Sequence, residues 1–220
     1  MRDLKGKNGI IFGSTGILGK AITTKLACLN ANIIIQGKTF EKLTKLDDEL
    51  KNINKKVTLL HANVIDKDFS RNLLKAVFSK FKKIDFLINL IGEFSGLRPL
   101  TNFSHTEWDK LIEINLTSSW RILKELEPLI RRSKRSKIIF LTNKKISIGQ
   151  PYHNILSITM NAKNSMLNIF KEENKKLNVE TYLIDIEEIN AGVTNSLAGK
   201  NEFKKNLLNT TAKKIADLCI

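Results

Sequence analysis

The sequence predicts an α/β protein built on a doubly wound parallel sheet, and three observations lead to that class. Short apolar runs rich in β-branched residues alternate with longer amphipathic segments along nearly the whole length. The first apolar run, Ile10-Ile11-Phe12, ends in a turn with glycines at 13, 16 and 19, and an amphipathic segment carrying Ala21, Ile22, Leu26 and Ala27 follows at once. No linker rich in Pro, Ser or Gly and no internal repeat divides the chain, so residues 1–220 read as one domain, long enough to bury a sizeable core.

Strands are expected near 8–13, 32–36, 57–61, 84–90, 137–142 and 179–184, with helices near 17–29, 40–53, 67–81, 106–132, 155–177 and 206–219. In such a sheet a ligand lies in the crevice at the carboxyl ends of the strands, so the residues closing each strand are the ones that bear chemistry. The turn Gly13-Ser14-Thr15-Gly16-Ile17-Leu18-Gly19 places backbone amides and the positive end of a helix dipole where a pyrophosphate can sit, with glycine where a Cβ would block close approach. After the second strand comes Gln36-Gly37-Lys38. An acid about twenty residues past the glycines suits the ribose hydroxyls of NAD, whereas a basic group suits a 2′-phosphate, so Gly37 and Lys38 point to NADP, with NAD as the alternative. The third strand leads to Asn63-Val64 and to Asp66, placed to cap the next helix; the fourth closes on Asn89-Leu90-Ile91-Gly92.

Taken in order, these segments resemble the short-chain dehydrogenase/reductase family. The glycine turn matches Gly13 to Gly19, the family's NNAG segment matches Asn89 to Gly92, its helix Asn matches Asn115 within Trp108–Leu116, and its Tyr-x-x-x-Lys matches at Lys163. Ile84-Asp85 and Pro128 agree as smaller landmarks, and the likeness spans roughly residues 5–219. The resemblance implies a Rossmann fold, an NAD(P) site that includes Lys163, and hydride transfer between the nicotinamide and a small carbonyl or alcohol substrate. In the family a Tyr exchanges the proton, the Lys lowers its pKa and holds the nicotinamide ribose, a Ser positions the carbonyl oxygen and the Asn orders a water.

The chain departs from that pattern in the proton machinery. Asn143 stands at the Ser position, and Thr159 stands where the phenol belongs if Lys163 is the family lysine; an ungapped count from Asn143 puts Leu156 and Met160 at the two positions instead. The catalytic set therefore reads Asn115, Asn143, Thr159 and Lys163, with an altered proton donor. A threonine hydroxyl is far too weak an acid to replace a phenol unaided, and losing a general acid costs about 100-fold to 10,000-fold. Tyr152 and His153, in the loop before the helix, are the alternative donors. Asn63 replaces the usual Asp at the adenine, and Ile184-Asp185-Ile186-Glu187-Glu188 replaces a Pro-Gly. After the helix near 206–219 no seventh strand of the kind the family carries is expected, and a dimer through the helices after the fourth and fifth strands is the expected assembly.

Composition is ordinary, with 42% apolar and 27% charged residues, but the net charge is +15. An abundance of Lys, Asn and Ile also fits a genome biased toward AT-rich codons. The densest basic run, Arg131-Arg132-Ser133-Lys134-Arg135-Ser136-Lys137, precedes the fifth strand, on the edge opposite the crevice, and has no interleaved aromatic residues, so neither nucleic acid nor a membrane surface is expected as the partner. Cys28 and Cys219 form no redox or metal spacing, His61, His105 and His153 form no ligand set, and a Gly-x-Ser-x-Gly elbow is absent. The start, Met1-Arg2-Asp3-Leu4-Lys5, lacks an apolar leader and no stretch has the length of a membrane span, so a soluble cytoplasmic protein is expected. Three functional readings follow: a reductase using NADP(H) with an altered donor, a nucleotide-binding relative without turnover, and a basic scaffold. The substrate is left open.

Overall fold

In the computed structural model, which describes residues 3–186 and 205–220, six parallel strands lie in the order β3-β2-β1-β4-β5-β6. They are β1 (Asn8–Phe12), β2 (Asn32–Gly37), β3 (Val57–His61), β4 (Phe86–Asn89), β5 (Ser136–Thr142) and β6 (Val179–Asp185). β1, β2 and β5 are near-continuous apolar runs because a central parallel strand is covered on both faces. Successive side chains alternate between two cores. Ile11, Ile33, Ile35, Ile88 and Ile139 pack under α1 (Ile17–Cys28), α2 (Phe40–Lys51) and the final helix, α8 (Lys205–Leu218). Ile10, Phe12, Ile34, Leu87 and Phe140 pack under α3 (Lys67–Lys80), α5 (Ser118–Ile130) and α7 (Asn154–Glu173).

The structure corrects several expected boundaries. The helix expected over 106–132 is broken into α4 (His105–Ile112), a π-helical turn at Glu113–Thr117 and α5. α4 starts where Ser104 and Glu107 form a reciprocal capping box. The fourth strand is shorter than 84–90, running from Phe86 to Asn89, whose side-chain oxygen accepts from the amide of Ile91 just beyond its end. Asp85, just before that strand, accepts from Asn8 N, Ser133 Oγ and Lys83 Nζ and ties three connections together at the opposite edge. A short helix, α6 (Lys144–Ser147), opens the stretch read as a loop after β5. α7 ends at Glu173 rather than 177, followed by a 3-10 turn and by Asn178 in the left-handed conformation. Asp66 caps α3 as expected. Glu187 and Glu188 lie outside the described residues, among which there is no seventh strand.

Candidate functional site

The glycine turn is held by one side chain that does not belong to it. Gln36, buried at the end of β2, accepts from Gly13 N at 3.0 Å through Oε1 and donates through Nε2 to Ala62 O at 2.7 Å, while its own carbonyl accepts from Ser14 N at 2.9 Å. The loops after β1, β2 and β3 are thus braced against each other. Ser14 is buried behind the turn and donates to Ile11 O, and Leu18 packs into the core, so both shape the turn from within. A Cβ on Gly19 would come within 2.3 Å of Gly13 O, so the first turn of α1 approaches the loop at a distance only glycine permits. Gly16 is the N-cap of α1, with no capping side chain and no acid in the first turn, and Ile17 is exposed at its start. The amides of that turn are left for an anion.

The crevice over this turn has a volume of about 270 Å³. Of the expected cofactor residues, Gly13, Thr15, Gly16, Lys38, Asn63, Val64 and Gly92 line it. Gln36, Leu90, Ile91, Glu93 and Ile114 line it too, and were not expected. Gln36 was signalled by a polar amide inside an otherwise apolar strand. Glu93 had no comparable mark. Asn89 lies below the floor, donating to Ser119 Oγ at 2.9 Å. Asn115, 1% exposed, grips the backbone of Glu93 from both sides, accepting from its N–H at 2.8 Å and donating to its C=O at 2.9 Å. It does so from the π turn, an extra-residue bulge of the kind found at functional positions in helices.

The proton machinery is arranged differently from the expectation. Thr159 is fully buried and its hydroxyl donates to Ile155 O and Leu156 O, within its own helix. Leu156 and Met160 pack with Ile146 and Phe94 in a small apolar cluster. Asn143 uses its side-chain oxygen to cap α6, accepting from Ile146 N at 3.2 Å. Lys163 is buried on α7, no acceptor for its ammonium is found among the described residues, and burial pushes its pKa down to about 8. Tyr152 is 60% exposed with a positive φ, and His153 Nδ1 lies 3.0 Å from Pro151 O. Neither lines the crevice, because Asn154 donates to Gly96 O, Arg98 O and Tyr152 O and holds that loop against the segment after β4. Thr159, Tyr152 and His153 therefore offer no hydroxyl or imidazole to the crevice.

A larger groove, about 610 Å³, lies between α5 and α7 on the outer surface, away from the glycine turn. Among the described residues no helix is long and apolar enough to cross a membrane.

Nodulation protein G of Rhizobium meliloti is 29% identical to this chain over 152 residues, 69% of the chain and 60% of that protein. The chain spans about 60% of the length of the first curated relatives it matches. The fold is shared by a 3-ketoacyl-(acyl-carrier-protein) reductase from Brucella melitensis, solved complexed with NADH, with a TM-score of 0.86 at 15% identity over 99% of this chain and 92% of that one. It is shared as well by a Shigella flexneri protein solved complexed with NADP, with a TM-score of 0.85 at 14% identity over 92% of this chain and 86% of that one. The family model described as short chain dehydrogenase matches residues 7–206, which carry the glycine turn, the strand order and the Asn115 turn, and the chain belongs to that family.

Proposed function

We propose that the chain binds NADP(H) in the crevice over the glycine turn and, in this form, does not turn it over at a reductase's rate. The observation that carries the cofactor reading is the wall made by Thr15, Gly37 and Lys38. A Cβ at position 37 would meet Thr15 Cγ2 at 2.8 Å, so an acidic side chain for ribose hydroxyls has no room there unless Thr15 moves. The next residue, Lys38, lines the crevice and supplies the positive charge that a 2′-phosphate needs. The uncapped first turn of α1 would hold the pyrophosphate, Asn63 and Val64 the adenine side, and Gly92 with Ile91 the floor beneath the nicotinamide. When bound, the nicotinamide supplies hydride exchange with a carbonyl or alcohol carbon.

What this chain's own residues do is hold the crevice in shape. Gln36 fixes the turn, and Asn115 fixes the backbone of Glu93. The proton side is where turnover fails. The hydroxyl nearest the family's phenol position, on Thr159, is spent inside its helix, and Ile146, Leu156, Met160 and Phe94 fill the adjoining space with apolar side chains. A second reading keeps turnover, as a reductase with an altered donor, and rests on Lys163, whose pKa burial holds at about 8, although it is not among the described residues that line the crevice. Following NADPH absorbance over a panel of aldehydes and ketones separates the two. The first reading expects tight NADPH binding without substrate-dependent oxidation; the second expects oxidation that Lys163→Met abolishes.

For assembly we propose a homodimer through α5 and α7. Trp120 is 49% exposed and Ile169 59% exposed along the groove between those helices, and burying them against the same face of a second copy removes both from water.

A further inference from the structure

Because the strands are all parallel, every helix-to-strand connection returns to the edge of the sheet opposite the crevice, and that edge collects the charge that the proposed function does not use. The connection before β3 exposes Lys55 and Lys56, the one before β4 exposes Lys82, the one before β5 exposes Arg132 and Lys134, and the one before β6 exposes Lys176. Among the described residues no carboxylate pairs with any of these six. Of the acids at this end, Asp85 pairs with Lys83, Glu127 with Arg131, Glu172 with Lys175 and Glu180 with Arg135, while Glu173, Asp48 and Asp217 are exposed in the last turns of their helices.

The same connections also expose apolar side chains between the cations. Ile53 is 45% exposed next to Lys55 and Lys56, Phe78 is 37% exposed at the end of α3, and Leu177 is 37% exposed next to Lys176. Lys82 Nζ lies 3.7 Å from the centre of the Phe78 ring and Arg132 5.4 Å, so that ring is already stacked by cations. Two aliphatic residues and one covered ring offer nothing on which a nucleic-acid base could stack, which is the usual contribution of protein to single-strand binding. Ile53 and Leu177 do offer apolar points that enter the interfacial zone of a bilayer while lysines meet its phosphates.

We propose that this edge is a peripheral membrane-docking surface that lays the amino ends of the strands on an anionic bilayer, with the nucleotide crevice facing away from the lipid. Association depends on both parts, the cations that have no carboxylate partner and the exposed side chains of Ile53 and Leu177. Among the described residues no helix is long and apolar enough to cross the bilayer, and the attachment is reversible.

The test is co-sedimentation of the full chain with vesicles of phosphatidylcholine alone and with vesicles of equal parts phosphatidylcholine and phosphatidylglycerol, at low and high salt. The protein is expected to pellet with the anionic vesicles only and to be released by salt. Lys55→Glu with Lys56→Glu is expected to weaken binding at least about tenfold, since each cation near such a surface contributes roughly a fivefold change in affinity. Ile53→Ser with Leu177→Ser, which leaves the charge intact, is expected to weaken it several-fold. All four positions are exposed, and unchanged melting and NADPH binding would show that the variants fold. Failure of the parent protein to pellet with anionic vesicles at low salt overturns the proposal without touching the nucleotide reading. Equal binding to both vesicles also overturns it. So does vesicle binding that ignores the Ser substitutions and is competed away by single-stranded RNA, which would assign the surface to nucleic acid.

Discussion

Lys163 is the residue whose energetics say most about the site. A buried ammonium without a counter-charge is costly, and its pKa of about 8 against the ordinary 10.5 sets that cost at up to about 3 kcal/mol when the group is charged. The folded value lies below the unfolded one, so between about pH 8 and 10.5 the unfolded chain binds more protons. Stability should therefore rise with pH across that window and level off above it, which denaturant melts at a series of pH values would show. Lys163→Met should abolish the rise and stabilise the protein near pH 7 by about 1–3 kcal/mol. A destabilised Met variant would mean that the ammonium has a partner. Gln36 runs the other way: Gln36→Ala leaves the Gly13 amide without its acceptor and should cost about 1–3 kcal/mol by the same melts. Lys163 was legible in the sequence through its place in a known order of motifs. Gln36 was visible only as an amide in the strand Ile33-Ile34-Ile35-Gln36-Gly37, and its two bonds depend on loops from elsewhere in the chain.

At the scale of elements, the strands could be read because parallel strands buried on both faces need unbroken apolar runs, and Ile10-Ile11-Phe12 or Ile138-Ile139-Phe140 can do little else. The break in the helix over 106–132 could not. Glu113-Ile114-Asn115-Leu116-Thr117 has ordinary helix-compatible composition, and the extra residue of the π turn is fixed by a tertiary contact, the Asn115 clamp on Glu93. Asn115→Ala is expected to cost about 1–3 kcal/mol, because both partners on Glu93 lose their bonds. It should also loosen the loop after β4, read as faster amide exchange at 92–94. Likewise α6 owes its start to Asn143, which the motif order assigned to substrate positioning. As a cap, its side-chain oxygen is engaged while its amide N–H groups face no acceptor among the described residues. Ser104→Ala, by contrast, removes an ordinary capping box and should cost only about 1 kcal/mol with no effect on cofactor binding.

On the scale of the whole molecule, parallel topology sorts the chain into two ends. The carboxyl ends carry the glycine turn, Lys38 and the Asn115 clamp, and the amino ends gather cations that are scattered through the sequence at 55–56, 82, 132–134 and 176. Only the run at 131–137 stood out in the sequence itself, since gathering the others requires the strand order. The lateral face of α5 and α7 is a third surface. Trp120→Glu should convert a dimer to monomer in sedimentation velocity and leave NADPH affinity unchanged; a species of unaltered mass would remove the dimer from the account.

The nucleotide crevice is the central claim, and a calorimetric titration of the purified protein with NADPH and separately with NADH tests it most directly. The account expects micromolar binding of NADPH with NADH at least tenfold weaker, a gap of about 1.4 kcal/mol, and expects Lys38→Ala to erase that gap. Heats of dilution alone with both nucleotides, or tighter binding of NADH than of NADPH, would contradict it.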